Sequence, residues 1–215
     1  MIVAIDGPAA AGKGTLARRL AKKFDFAYLD TGMLYRAVAL TLIKAGIDPH
    51  NEAAAAAASA ALDLGVTADP MLRAEGTGNA ASIVAAMPEI RSNLLKLQRK
   101  FGSSPPGGEK GAILDGRDIG TVVCPNAEVK FFVTATPEVR AQRRTAEMQS
   151  RGEAAVYASI LEEVKMRDDR DMNRGQAPLK PAEDALLLDT TLLDIDAVFL
   201  RAVKIIEARI GKRQT

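Results

Sequence analysis

The chain has no tryptophan, only three tyrosines and six phenylalanines, and a single cysteine and a single histidine in 215 residues. One thiol, Cys124, excludes an internal disulfide. Together with His50 it makes too small a set for a transition-metal cluster, so a reducing compartment is expected and both residues read as ordinary. No apolar run approaches the ~18 residues of a membrane span. Met1 to Ile5 reads as a strand rather than as a basic segment followed by an apolar stretch, so a soluble, cytoplasmic protein without a membrane partner is expected. Neither sign of charge dominates: 29 Lys and Arg stand against 27 Asp and Glu, a net charge of +2. That balance, with aromatic residues at 4%, leaves little of the basic, stacking surface of a nucleic-acid binder. What remains is 47% hydrophobic content, enough for one good core. A single domain over 1–215 is expected, preferably monomeric, with no internal repeat and no linker long enough to separate two units.

Short apolar or β-branched runs begin at Ile2, Ala27, Ala112, Val129 and Ala185, five candidate strands. Between them apolar residues recur at helical spacing: Leu16, Leu20 and Phe24; Leu34, Val38 and Leu42; Ile90, Leu94, Leu97 and Phe101. Strand and helix in alternation predict an α/β fold on a parallel sheet. Asp194 is the candidate N-cap of a last helix carrying Val198, Ala202 and Ile205 or Ile206. Three stretches fit such a core less well. Residues 53–61 are nearly all alanine and predict a peripheral helix with little to bury. Residues 102–111, rich in Gly, Pro and Ser, predict a mobile surface loop. Residues 140–174 carry Arg140, Arg143, Arg144, Arg151, Arg167, Arg170 and Arg174.

The strongest chemical signal is Gly7-Pro8-Ala9-Ala10-Ala11-Gly12-Lys13-Gly14-Thr15, set between the first strand and the first helix. Its glycines let backbone N–H groups turn inward on phosphate oxygens, the following helix adds its positive end, and Lys13 adds a point charge. This predicts a cradle for the phosphates of ATP or GTP. Gly14 intervenes where a hydroxyl residue usually follows the lysine, so Thr15 supplies the hydroxyl assigned to Mg²⁺. A second block, Asp30-Thr31-Gly32-Met33-Leu34-Tyr35-Arg36, opens a helix at the carboxyl edge of the sheet, where Arg36 could hold a second phosphate. Taken alone it reads rather as an N-cap from Asp30 or Thr31 with a solvated arginine, and its position beside the phosphate loop reverses that reading. In a third, Asp115-Gly116-Arg117-Asp118-Ile119-Gly120, Asp115 follows an apolar run and is the candidate acid beside Mg²⁺. Arg117 and Asp118 could instead simply pair with each other. The fourth, from Arg167 to Arg174, is either a solvated helix laced with ion pairs or a lid over a transferring phosphoryl group.

These four blocks, with Asn79-Ala80-Ala81-Ser82 and Pro88-Glu89-Ile90-Arg91 between them, occur in the order seen in bacterial cytidylate kinases, and the chain resembles that family over nearly its whole length. The run from Asp115 to Val123, the Arg-Asp-Asp-Arg-Asp run and the segment 178–189 are the specific parts; the phosphate loop alone is not. The resemblance implies a P-loop core with a five-stranded parallel sheet, a monophosphate-binding region at about 31–101 and a lid at about 143–178. It implies transfer of the ATP γ-phosphoryl group to CMP or dCMP with Mg²⁺. Thr31, Tyr35 and Arg36 are then expected at the monophosphate, and Ser82, Arg91 and Asp118 at the base. Arg117, Arg167 and Arg174 would address phosphates, and Asp171 with Arg167 would lie near the ribose. Lys13, Arg117, Arg167 and Arg174 are the expected catalytic cations. No general base is assigned, because the acceptor phosphate is already ionised. Many bacterial relatives carry a longer, partly β-structured insertion where this chain has only residues 67–78. An adenylate or uridylate kinase would share the loop and lid, and an arginine-rich grip on nucleic acid is the reading from another class.

Overall fold

The computed structural model describes residues 1–62 and 69–211. Among them, strands β1 (Ile2–Asp6), β2 (Ala27–Asp30), β3 (Ala112–Gly116), β4 (Val129–Thr134) and β5 (Leu186–Asp189) form one parallel sheet in the order β2-β3-β1-β4-β5. Helices α1 (Lys13–Phe24), α2 (Thr31–Lys44), α3 (Glu52–Ala60), α4 (Glu75–Val84), α5 (Pro88–Ser103), α6 (Pro137–Ser150), α7 (Tyr157–Asn173) and α8 (Ile195–Gly211) connect and cover it. All five runs read from the sequence as strands are strands. The reason is the apolar content of β1, β3 and β4, whose Val3, Ile5, Ile113, Leu114, Phe131 and Val133 are each 1% exposed or less. A parallel sheet needs both faces covered, and continuous apolar runs provide for that.

Two cores result, one on each face. On one, Leu34, Val38 and Leu42 of α2 and Ile90, Leu94 and Phe101 of α5 pack on Leu29 and Leu114. On the other, Leu16 and Leu20 of α1 and Val198, Ala202 and Ile206 of α8 pack on Val3, Ile5, Phe131 and Val133. Asp194 caps α8 as expected, its Oδ1 accepting from the Asp196 N–H at 2.7 Å. Because β1 lies between β3 and β4, crossovers leave it on opposite sides, and the crevice beyond its carboxyl end is where an open α/β sheet receives a ligand.

Two expectations need correction and one alternative falls. The alanine helix α3 is not idle: Ala55 is wholly buried, Ser59 is buried, and Asn93 of α5 donates to the Ser59 hydroxyl at 2.9 Å. Small side chains bring little area but let helices approach closely, which composition does not reveal. The stretch 102–111 is not loop throughout, since α5 runs on to Ser103 with Gly102 buried, where a Cβ would stand 3.4 Å from the Cys124 sulfur. Arg167–Arg174 is not a solvated helix, because Asp168 and Asp171 of α7 are buried in ion pairs. Of the shortened insertion, residues 63–68 lie outside the described residues. A 3₁₀ turn at Pro70–Arg73, started by Asp69 accepting from the Met71 N–H at 2.8 Å, then leads into α4.

Candidate active site

The loop from Gly7 to Gly12 turns through three left-handed residues, Gly7 (φ 146°), Ala10 (φ 59°) and Gly12 (φ 90°), before α1 begins. The α1 N-terminus has no side-chain cap and no acid in its first turn, so its N–H groups await an outside anion. Lys13 is 6% exposed, and its ammonium donates to the Pro8 carbonyl at 2.7 Å across the loop. Burial, then the Arg117 charge, holds its pKa well below the usual lysine range. The position of Gly7 is strict: a Cβ there would stand 1.9 Å from the Val133 carbonyl oxygen of the neighbouring strand. Gly7→Ala therefore forces backbone to move as well as straining φ, and is expected to cost about 3 kcal/mol in urea unfolding and to weaken ATP binding. An unchanged midpoint would mean that the loop accommodates the methyl group freely.

Acids line the next edge. Asp115 at the end of β3 is 5% exposed and accepts from the Tyr28 hydroxyl at 2.8 Å, with Asp30 of β2 alongside in register. Burial first, then the Asp30 charge, pushes the Asp115 carboxyl above its ordinary value. Thr15, one turn into α1, is exposed. Asp6, at the end of β1, is 4% exposed and accepts from the Ile119 and Gly120 N–H groups at 2.8 and 2.7 Å. Burial raises its pKa to about 6 against the pull of those two donors.

Beyond the acids lie two adjoining cavities. The one against the loop encloses about 140 Å³ and is lined by Ala9, Ala10, Arg36, Arg144 and Arg167 among others. Arg36 donates to the Leu72 carbonyl at 2.7 Å, and Gly78 makes room for its guanidinium, since a Cβ at that residue would stand 2.7 Å from Nη2. Burial and then the Arg144 charge lower the Arg36 pKa. Arg167 is lowered to about 9 by burial and then by Arg117, and its Nε is buried without a hydrogen-bond partner. Glu147, paired with Arg144 at 3.2 Å, and Glu163 also line this cavity, so three guanidiniums face two carboxylates and the balance suits an anion.

The second cavity holds about 50 Å³, room for a few waters, and is lined by Thr31, Tyr35, Ser82, Arg91, Arg117, Asp118, Arg167, Asp171 and Arg174. Nine of the ten residues expected at the acceptor thus meet around one space, and the tenth, Arg36, lies in the adjoining cavity that shares Arg167. Arg117 and Asp118 do not pair with each other. Arg117 Nε donates to Asp171 at 2.8 Å. Asp118 is held by Arg91, with Arg174 3.6 Å away. Arg91 also donates to the Ala85 carbonyl at 3.1 Å. Ser82 donates to Asp171 at 3.4 Å. Thr31 spends its hydroxyl proton on the Asp115 carbonyl at 2.7 Å, leaving its lone pairs for a donor. Although burial pulls the Asp171 carboxyl upward, Arg117, Arg167 and Arg174 together hold it below the usual range.

Sequence reasoning left several contributors unassigned. Arg144 faces the phosphate-side cavity. Arg140, 2% exposed, pairs with Asp168 and donates to the Ala9 carbonyl at 3.3 Å, tying both α6 and α7 to the loop. Arg143 donates to Thr190, whose hydroxyl lies 3.1 Å from the Ala11 carbonyl. The density of arginine at 140–144 was the available signal, but it does not say which guanidinium turns inward. Cys124 is buried, and burial pushes its thiol up to about 11, in keeping with an inert role.

A loop turned by left-handed residues into an uncapped helix, with a buried lysine at the end of a central parallel strand and converging arginines opposite, defines a P-loop phosphotransferase. Comparison with known proteins narrows the class. The family model described as cytidylate kinase matches residues 3–208. A cytidylate kinase of Rhodopseudomonas palustris is 54% identical over 215 residues, spanning 100% of both chains. One of Bradyrhizobium diazoefficiens is 54% identical over 99% of each. A crystal structure of an uncharacterized protein from Eubacterium ventriosum shares the fold, with a TM-score of 0.57 at 13% identity over 96% of this chain and 98% of that one. The chain belongs to the cytidylate kinase family, and it is an ATP-dependent kinase.

Proposed function

We propose that this chain moves the γ-phosphoryl group of ATP onto the phosphate of CMP or dCMP, with the acceptor in the cavity bounded by Ser82, Arg91 and Asp118. The observation that carries this placement is the sharing of Arg167 between that cavity and the one facing Ala9 and Ala10 of the phosphate loop. A nucleotide with its base among Ser82, Arg91 and Asp118 would direct its phosphate toward Arg36 and Arg167, opposite the end of ATP.

Cytosine offers an amine donor beside the N3 and O2 acceptors. Asp118 can accept from the amine while the Arg91 fork donates to the ring. The two side chains already hold each other, so the base enters by exchange of partners. Uracil replaces the amine with a carbonyl, which faces the Asp118 carboxylate acceptor to acceptor. Asp171 accepts from a sugar hydroxyl. An acceptor phosphate is already largely ionised near neutral pH, so one of its oxygens attacks without a protein base. Lys13, Arg36, Arg117, Arg144 and Arg167 neutralise the oxygens as charge moves, and orientation supplies the remainder; Arg174, expected among these cations, lies 3.6 Å from Asp118 and does not line the phosphate-side cavity.

The segment of about 143–178, which takes in the end of α6 and all of α7, acts as the lid that excludes water, and 31–101 as the monophosphate-binding region. Mg²⁺ fits the residues present. Magnesium sites on nucleotides need one or two protein oxygens beside phosphates and water, and the Asp115 carboxylate, in register with that of Asp30 at the edge of the sheet, can supply one. Asp115 and Thr15 would hold it, directly or through water. When bound it supplies Lewis-acid charge to the phosphate oxygens. A small molecule, rather than nucleic acid, is the acceptor, because the inward arginines are interleaved with Asp118, Asp168 and Asp171, and we read the enzyme as cytoplasmic and monomeric.

The test is ADP release with ATP and Mg²⁺ against CMP, dCMP, UMP and AMP at equal concentration. Values of kcat/KM for CMP and dCMP about 100-fold above UMP are expected from a mismatched buried acceptor. Preference for UMP or AMP would overturn the base assignment while leaving a kinase.

A further inference from the structure

We propose that Asp6 is a positioning residue for the acceptor site, acting on CMP from the donor side of the molecule. Asp6 is the last residue of β1, immediately before the phosphate loop, and lines neither of the two cavities. Its two carboxylate oxygens instead accept from consecutive backbone N–H groups, Ile119 at 2.8 Å and Gly120 at 2.7 Å. These open the π-helical turn Ile119–Val123, and no side chain of the turn's own N-cap residue, Asp118, reaches back to satisfy them. The N–H groups at the start of a helical turn have no partner within it. Ile119 is wholly buried, so water is not at hand to replace one. Asp6 is therefore an N-cap supplied from another strand, more than a hundred residues away in sequence.

What it caps decides what it does. The two residues before Ile119 are Arg117 and Asp118, and the strand leading into them is in register with β1 at Asp6↔Gly116. From the other side, the Asp118 carbonyl accepts from the Val122 and Val123 N–H groups at 2.9 and 3.1 Å. The peptide links around Asp118 are thus held at both ends, and with them the directions in which Arg117 meets Asp171 and Asp118 meets Arg91. One carboxylate joins the start of the phosphate cradle to the two side chains that the acceptor must engage.

Asparagine in its place offers one oxygen and turns an NH₂ donor against the second N–H. The inference rests on the placement of CMP given above, and kinetics can separate the two. For Asp6→Asn, loss of a charge-assisted bond is expected to raise KM for CMP about tenfold, with KM for ATP within about twofold, and to narrow the preference for CMP over UMP. Asp6→Ser, which also gives up the paired acceptor, should split the two KM values in the same direction. Equal shifts in both KM values, or no shift, would overturn the proposal, because a merely structural residue does not choose between substrates. Failure of both variants to fold would likewise assign Asp6 to stability and end it. Asp118→Ala run in parallel distinguishes the sources of failure: if it too leaves CMP untouched, the placement of the base is wrong. If Asp118→Ala alters CMP and the Asp6 variants do not, only the positioning role falls.

Discussion

Replacing Lys13 with methionine is expected to lower kcat for CMP phosphorylation by about 100- to 1,000-fold, the usual loss when one preorganised donor to a developing oxyanion is removed. The same change should leave the thermal midpoint unchanged or slightly higher. That contrast comes from the environment of the ammonium. It is buried, its pKa is depressed by burial and by Arg117, and its one hydrogen bond is to the Pro8 carbonyl. A cation whose folded pKa lies below its unfolded value opposes folding at any pH below that unfolded value, so its loss relieves the native state. Methionine keeps the length and the apolar stem. Measurement needs only an ADP-release assay and a thermal melt on the same preparation. Turnover within tenfold of the parent would remove Lys13 from the chemistry. A melt lowered by many degrees would make it a structural residue instead.

The second large effect concerns Asp118. Its side chain is 7% exposed and lies between Arg91 and Arg174, themselves 10% and 5% exposed. Asp118→Ala leaves two guanidiniums facing each other without their shared counter-ion, and a broken buried pair typically costs about 3–5 kcal/mol. On a domain of this size that corresponds to a fall of about 10 °C in Tm. KM for CMP should rise at the same time and discrimination against UMP should collapse, because the acceptor for the exocyclic amine is gone. Asp118→Asn keeps the shape and should lose less stability but much of the base preference. If Asp118→Ala melts with the parent, the pair contributes nothing net; if its CMP:UMP ratio is unchanged, recognition of the base lies elsewhere.

Much of this architecture can be read before folding. The β-branched and apolar runs of β1, β3 and β4 announce buried parallel strands. Leu16, Leu20 and Phe24, like Ile90, Leu94 and Phe101, announce helices with one buried face. The Gly7–Thr15 block has one natural place, at the end of a strand. Partnerships are harder to read. Nothing local tells that Arg117 will choose Asp171 over its neighbour Asp118, because that choice is made where α7 meets the turn after β3. Residues separated by 54 positions meet only in the assembled fold. The alanine-rich α3 hides its packing role for a related reason: small residues transmit close contact rather than burying area. Asp6 escapes notice because an acid between a strand and a glycine looks like a loop residue, and its two partners lie 113 and 114 positions on.

The residues bounding the acceptor cavity come from α2 (Thr31 and Tyr35), α4 (Ser82), α5 (Arg91), the turn after β3 (Arg117 and Asp118), and α7 with its C-cap (Arg167, Asp171 and Arg174). None comes from β1, the phosphate loop or α1. The molecule is therefore divided like a tool with a fixed handle and an exchangeable head. A lineage could explore other acceptor bases by substitution on α4, α5 and one short turn while the ATP-handling half stays as it is, and an inhibitor built on the cytosine end would meet a surface free to change without loss of the cradle.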